Sequence, residues 1–265
     1  MKGTKIYCLN PSQSRRLIAK GIIKLPQIQD ALKNHKILVT KGSTNAYILE
    51  ELYKLAGIKE NFNKGDYTAG QIVPGKKYMN WTVNPGNKAP EIMLVKGQKK
   101  EVTDRTKEIY DFKSGDIILK GGNAIDSNGI PAVLVGALNG GGTIGSIAGT
   151  VIAKGIELIC PIGLEKLIMC DLNDLSQIMG AGNMDSPAEG MPCGLFPMPF
   201  ASSFTEIDAL ELLFNCDAYH VASGGVGGAE GSVSMLVDCY EPEDLKVIDT
   251  FMEEIANEPL YQPNK

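Results

Sequence analysis

Ile37-Leu38-Val39-Thr40-Lys41-Gly42-Ser43-Thr44-Asn45 changes character in its middle. Its first residues are strand formers without polar alternation, and Gly42 breaks the run. From Ser43 onward the apolar residues fall at helical spacing, with Ile48, Leu49, Leu52, Leu55 and Ala56 on one side, Glu50, Glu51 and Lys54 on the other, and Gly57 as the stop. A buried strand feeding a helix N-terminus leaves backbone N–H groups unpaired. A glycine, two hydroxyls and the Lys41 countercharge at that point suit an anionic group. The competing reading is an ordinary helix start capped by Ser43.

Two further glycine breaks follow apolar runs. Asp116-Ile117-Ile118-Leu119 ends at Lys120-Gly121-Gly122-Asn123, and residues 131–138 end at Asn139-Gly140-Gly141-Gly142, after which Thr143 to Lys154 reads as a helix of small residues. Ile156 to Cys160 is a strand stopped by Pro161. Continuous apolar strands alternating with helices predict a mostly parallel sheet covered on both faces. Such a sheet binds ligands beyond its strand C-termini, so three glycine corners there predict one crevice.

Toward the N-terminus, Thr4 to Cys8 is a strand candidate, Pro11 opens one helix and Pro26 restarts another up to His35. Between Ile58 and Lys100, turns at Asn63-Lys64-Gly65-Asp66, Val73-Pro74-Gly75-Lys76 and Asn84-Pro85-Gly86-Asn87 separate short strand-like pieces such as Glu91 to Val95. Glu101 to Phe112 reads as an exposed helix. Asn183 to Pro192 is punctuated by proline and glycine and reads as a linker. The order after it is Gly194–Met198 strand, Thr205–Phe214 helix, Ala218–Ala222 and Ser232–Asp238 strands around the loop Gly224 to Gly231, and Pro242–Ile255 helix. That βαββα order predicts a small ferredoxin-like α+β domain. The expected organisation is therefore α/β: a three-layer Rossmann-like core over 1–182, a linker at 183–193 and the small domain over 194–265.

Composition excludes several classes. With 43% hydrophobic residues over 265, the chain builds a full core. Its net charge of −5 and the absence of any Lys/Arg block argue against nucleic acid. Charges at Lys154, Glu157 and Glu165 interrupt the longest apolar stretch, so no membrane span is expected. Six cysteines without C-x-x-C spacing, and no leader before Cys8, read as reduced core thiols of a cytoplasmic protein. Two histidines are too few for a histidine-built metal site or a Ser-His-Asp triad, and no metal or cofactor is expected. Cys160 and His220 read as packing residues, and Gly224 to Gly231 as a hairpin loop because no helix follows its glycines. The Met191, Met198 and Phe200 cluster reads as packing between domains or between copies, so a homo-oligomer is expected.

At Thr40-Lys41-Gly42-Ser43-Thr44-Asn45 the chain resembles the first phosphate-side loop of ribose-5-phosphate isomerase A, a glycine and Gly-Ser-Thr before a helix. Ile117-Ile118-Leu119-Lys120-Gly121-Gly122-Asn123-Ala124-Ile125-Asp126 is similar to the strand and Gly-Ala-Asp of that family and of its initiation factor 2B-related kin. Asn139-Gly140-Gly141-Gly142 resembles their Lys-Gly-Gly-Gly turn. The resemblance implies the broad superfamily of sugar-phosphate isomerases, deaminases and CoA transferases. It does not carry the pentose isomerase mechanism, because Lys120 and Asn123 stand at the acidic places and Asn139 at the lysine. An amide does no acid–base work near neutral pH.

The function expected from these readings is binding of a small anionic metabolite, a sugar phosphate, nucleotide or CoA-type ligand. Its contacts would be Lys41, Gly42, Ser43, Thr44, Asn45, Gly121, Gly122, Asn123, Asn139, Gly140, Gly141, Gly142 and Thr143. Two alternatives stay open: an isomerase or transferase using Asp126, Lys120 or Lys41 to move protons, and an architectural protein that forms oligomers.

Overall fold

The computed structural model describes residues 3–77, 79–83 (main chain only), 89–185 and 190–263. In chain order the first half contains β1 (Gly3–Leu9), α1 (Pro11–Ile22), α2 (Pro26–Asn34), β2 (Lys36–Val39), α3 (Ser43–Ala56), β3 (Gly70–Pro74), β4 (Met79–Val83), β5 (Glu91–Val95), β6 (Gln98–Val102) and α4 (Arg105–Tyr110). Then come β7 (Ile117–Leu119), β8 (Ala124–Ile125), β9 (Pro131–Val135), α5 (Gly142–Lys154), β10 (Glu157–Pro161), α6 (Leu172–Ile178), β11 (Gly194–Pro197), β12 (Ser202–Phe204), α7 (Glu206–Leu213), β13 (Cys216–Ser223), β14 (Val233–Cys239) and α8 (Asp244–Ala256).

A six-stranded mixed sheet in the order β12-β10-β7-β2-β5-β6 forms the centre. Strands β2, β7, β10 and β12 run parallel, and the β5–β6 hairpin joins β2 antiparallel. Successive side chains of a strand face opposite ways, and here both faces are buried. Ile37, Val39, Ile92, Leu94, Ile117, Leu119 and Ile159 pack into one core with α1, α2 and α3. Leu38, Met93, Ile118, Leu158 and Cys160 pack into the other with α4 and α5. This is why these strands carry no polar alternation.

The sheets do not follow the expected division at 182 and 194. β1, from the N-terminus, pairs along its whole length with β14 in the antiparallel sheet β1-β14-β13, with Gly3 opposite Cys239. β12 belongs to the six-stranded sheet, and β11 pairs with β9 in a third sheet, β11-β9-β8. Val233, Met235 and Val237 of β14 share one continuous core with α1, α3 and α7. A βαββα unit confined to 194–265 is thus not what the pairing forms.

Two local expectations are also corrected. Glu101 to Phe112 is not one helix: Lys96 and Gly97, both at positive φ, turn the chain back so that polar Gln98–Val102 pairs as an edge strand, and helix begins only after the Asp104 cap. Cys8 and Cys170 are exposed, while Cys160, Cys193, Cys216 and Cys239 are buried. The turn at 84–87 and the middle of the expected linker, 186–189, lie outside the described residues. Among the described residues no helix is long and apolar enough to cross a membrane.

Helices α1 and α3 are joined by a buried cation. The Arg16 guanidinium donates to Glu50, to Glu51 and to Glu258 (2.8 Å), and it lies over the Tyr47 ring. Lys64 adds a second cation on Glu50 at 3.0 Å. Burial alone pushes the Glu50 carboxyl up, but hydrogen bonds from Arg16 and Lys64 outweigh it and hold the group below its ordinary 4.5. Removing one side of such a cluster leaves buried charge unpaired. Arg16→Met is expected to cost about 3 kcal/mol in urea denaturation at neutral pH. Because the folded-state value of Glu50 is depressed, its stabilisation is present above the ordinary glutamate value and is lost as pH falls through the folded one. Stability measured against pH should therefore decline in that acid window for the wild type, and less steeply for Arg16→Met.

Candidate functional site

The parallel strands β2, β7 and β10 end side by side, and each is followed by a lysine: Lys41, Lys120 and Lys166. These three residues line one cavity of about 200 Å³ together with the start of α3, the start of α5 and residues of β9. The three glycine corners predicted to meet do so. Lys41, Gly42, Ser43, Thr44, Asn45, Lys120, Gly121, Gly122, Asn123, Gly141, Gly142 and Thr143 all contribute to its wall.

Both helices that open on the cavity begin on glycine. Gly42 precedes α3 and Gly141 precedes α5, and neither supplies a capping side chain. Ser43 is inside the helix, so it is not the cap that the competing reading required. The first-turn N–H groups at Ser43, Thr44 and Asn45, and at Gly142, Thr143 and Ile144, have no intrahelical acceptors. Two positive helix ends consequently share one small space. The Gly42 N–H is already used, donating to Tyr67 O at 2.9 Å, and the Tyr67 hydroxyl bridges Val39 O and Ile92 N. This anchors the segment that brings Ala69 and Gly70 to the cavity.

Gly140, Gly141 and Gly142 all take left-handed φ values, of 79°, 66° and 63°. That tight reversal sets Gly140 O against the next turn, where a Cβ on Gly145 would lie 2.1 Å from it. The glycines of this corner are thus demanded by backbone shape, and Asn139 and Gly140 turn the chain without lining the cavity.

The Asn45 side chain is fully buried, and its amide group donates to Thr40 O at 2.8 Å and Leu119 O at 3.0 Å. It fastens the ends of β2 and β7 to each other. Those two carbonyls fix the orientation of the amide and leave Oδ1, on a cavity-lining residue, without a partner among the described residues. Asn123 is likewise fastened, its Oδ1 accepting from Leu134 N at 3.0 Å and its N–H donating to Ala132 O.

Asp126 stands elsewhere. It is buried in the turn between β8 and β9, where Oδ1 accepts from Asn128 N at 2.9 Å and Ile130 N at 3.0 Å, and it is not part of the cavity wall. Its sequence context, Asp-Ser-Asn-Gly, is the signature of a side-chain-closed turn. Lys166 is the residue that sequence reasoning missed. It follows β10 on a short 3-10 turn, Leu164–Lys166, that Glu206 holds by accepting from Leu164 N at 2.9 Å. The signal available was its place just beyond a third parallel strand.

Lys120 Nζ donates to Gly121 O at 2.8 Å and Lys166 Nζ to Gly122 O at 2.9 Å. Burial pushes both ammonium groups below the usual lysine range, and Lys166 adds repulsion on Lys120. Cys160 lies behind Gly122, and burial drives its thiol up to about 12, so it is a packed thiol and not a nucleophile. Among the described residues the wall contains no carboxylate, histidine or cysteine.

Asn45→Ala is expected to lower stability by about 2 kcal/mol, since two buried carbonyls lose a donor, and equilibrium denaturation measures it. Gly141→Ala is expected to cost about 1–2 kcal/mol for its left-handed φ in the same assay. Compared with protein-family models, with curated proteins and with solved structures, the chain has no match.

Proposed function

We propose that this cavity binds the phosphate, or an equivalent anionic group, of a small metabolite. The observation that carries the reading is the meeting of two glycine-started helix N-termini with three lysines in a wall that holds no carboxylate among the described residues. Such an arrangement repels cations and leaves donors facing inward. The unpartnered Asn45 Oδ1 points to a ligand that also offers a donor, such as a sugar hydroxyl.

Size narrows the class. About 200 Å³ is below the usual range of pockets for drug-sized ligands. A phosphate on a short carbon chain fits that space better than a whole nucleotide or a CoA. A sugar phosphate is therefore favoured, in keeping with the resemblance to sugar-phosphate isomerases. We read the frame in the same spirit, as a three-layer Rossmann-like core whose helical layer also carries a small antiparallel sheet. Proton transfer through Asp126 has no support in its position, so binding stands as the primary function.

Thermal denaturation with inorganic phosphate, ribose 5-phosphate, ribose, AMP and CoA tests the reading. At a hundredfold excess over Kd, inorganic phosphate and ribose 5-phosphate are expected to raise Tm by about 5 °C, and ribose by nothing measurable. Lys166→Met is expected to weaken ribose 5-phosphate binding by about tenfold, consistent with a charge-assisted contact of about 1.4 kcal/mol, in calorimetric titration. Absence of any shift with every phosphate-bearing probe would overturn the proposal.

A further inference from the structure

The reading above assigns the cavity lysines to charge neutralisation, yet their settings differ from that of a simple countercharge. Neither Lys120 nor Lys166 is bonded to a carboxylate; each amine is hung on a main-chain carbonyl, and the two carbonyls belong to consecutive glycines. A carbonyl accepts an N–H from a neutral amine as well as from an ammonium, the latter more strongly, and unlike a carboxylate it brings no full counter-charge. A neutral amine so held keeps its lone pair free. Burial acts first against the charged form of both lysines; Glu165 and Glu206 oppose it at Lys166, Cys160 and Glu91 oppose it at Lys120, and the Lys166 charge adds to it at Lys120. A lysine desolvated beside another cation is the setting in which amines become nucleophiles toward carbonyl compounds.

Resting on the anion-binding reading, we infer that Lys120 is a nucleophile and that the cavity takes a phosphate-bearing aldehyde or ketone, joining its carbonyl carbon to Lys120 Nζ as an imine. The phosphate sits at the two helix N-termini, which places the carbon chain toward the strand ends where Lys120 and Lys166 emerge. The Nζ lone pair forms the new C–N bond while the carbonyl π pair moves to oxygen, which takes up the proton released from nitrogen. The resulting hydroxyl leaves as water after accepting a proton, and the nitrogen lone pair closes the C=N bond. The product at that stage is the protonated imine; loss of its N–H proton back to Lys166 leaves the neutral imine, so that amine and carbonyl give imine and water with no change of oxidation state. Lys166, on the adjacent carbonyl, is the second cavity amine and the group assigned to give a proton to the departing hydroxyl.

Reductive trapping tests this. The full chain is incubated with glyceraldehyde 3-phosphate, reduced with sodium borohydride and mapped by peptide mass spectrometry. The expected result is one dominant reduced adduct on the peptide that contains Lys120. It should fall at least tenfold when neutral glyceraldehyde replaces the phosphorylated probe or when inorganic phosphate is added in excess. Lys120→Met should abolish it. The phosphate competition on the wild-type chain carries the same information if that variant does not fold. Adduct on Lys166 alone, or spread over surface lysines regardless of phosphate, would overturn the assignment. If inorganic phosphate raises Tm but no adduct forms on Lys120, this inference fails and the anion site stands; if phosphate does neither, both fail.

Discussion

A helix that begins on glycine has no side chain with which to close its first turn. Elsewhere in this chain the rule of polar caps is kept: Asn10 caps α1 with a reciprocal bond from Gln13, Asp104 caps α4, Asp171 caps α6, and Thr205 pairs with Asp208 at α7. Two other helices lack side-chain caps for ordinary reasons. α2 starts on Pro26, and α8 starts at exposed Glu243, where water serves its amides. Gly42 and Gly141 are different because the donors they leave open face a shared cavity. Gly42 and Gly141 are the cap positions that carry no side chain at all, and the first turns they open lie at the wall of one cavity.

The convergence depends on how the strand ends are tied. Thr40 N–H and hydroxyl both bond to Leu119 O, and the Asn45 amide adds to the same carbonyl while also taking Thr40 O. One buried amide thus sets the spacing between the corners after β2 and β7. Burial of both sheet faces makes this spacing stiff, since Leu38 and Ile118 are locked into one core and their neighbours Ile37, Val39, Ile117 and Leu119 into the other. A slip by one residue would exchange the two sets.

What could be read from the sequence follows from how local the cause is. The strand at 36–40, the helix from Ser43 to its left-handed Gly57 stop, and the glycine corners are set by neighbours within a few residues. The partner of β1 is not local: Gly3 meets Cys239 across nearly the whole chain, and no period or propensity in Thr4 to Cys8 announces it. β6 was hidden for another reason, because an edge strand made of Lys-Lys-Glu has the composition of an exposed helix. Within the site, Asp126 is the carboxylate close in sequence to a corner, but Asp126-Ser127-Asn128-Gly129 spells a turn that takes its side chain away from the cavity. Lys166 was passed over because Pro161 ends the strand several residues earlier and the intervening turn is held by Glu206, a contact between distant parts of the chain.

The chemistry available in the cavity follows from what its wall is made of. Carboxylates, which would neutralise the lysines and compete with an anion for the helix ends, are absent from it among the described residues. Glu206, buried against the Leu164–Lys166 turn, is engaged by Ser14 and by Leu164 N, and burial raises it above the ordinary glutamate value. A chain with a net charge of −5 therefore keeps a locally positive pocket. Because that pocket lies among apolar residues of β9 and α5, salt screens it less than it screens a surface patch of the same charge. The same enclosure that strengthens the attraction for an anion also penalises the ammonium form of the lysines. The proposed anion binding and the inferred amine activation both rest on this one enclosed space, whose wall holds no carboxylate among the described residues.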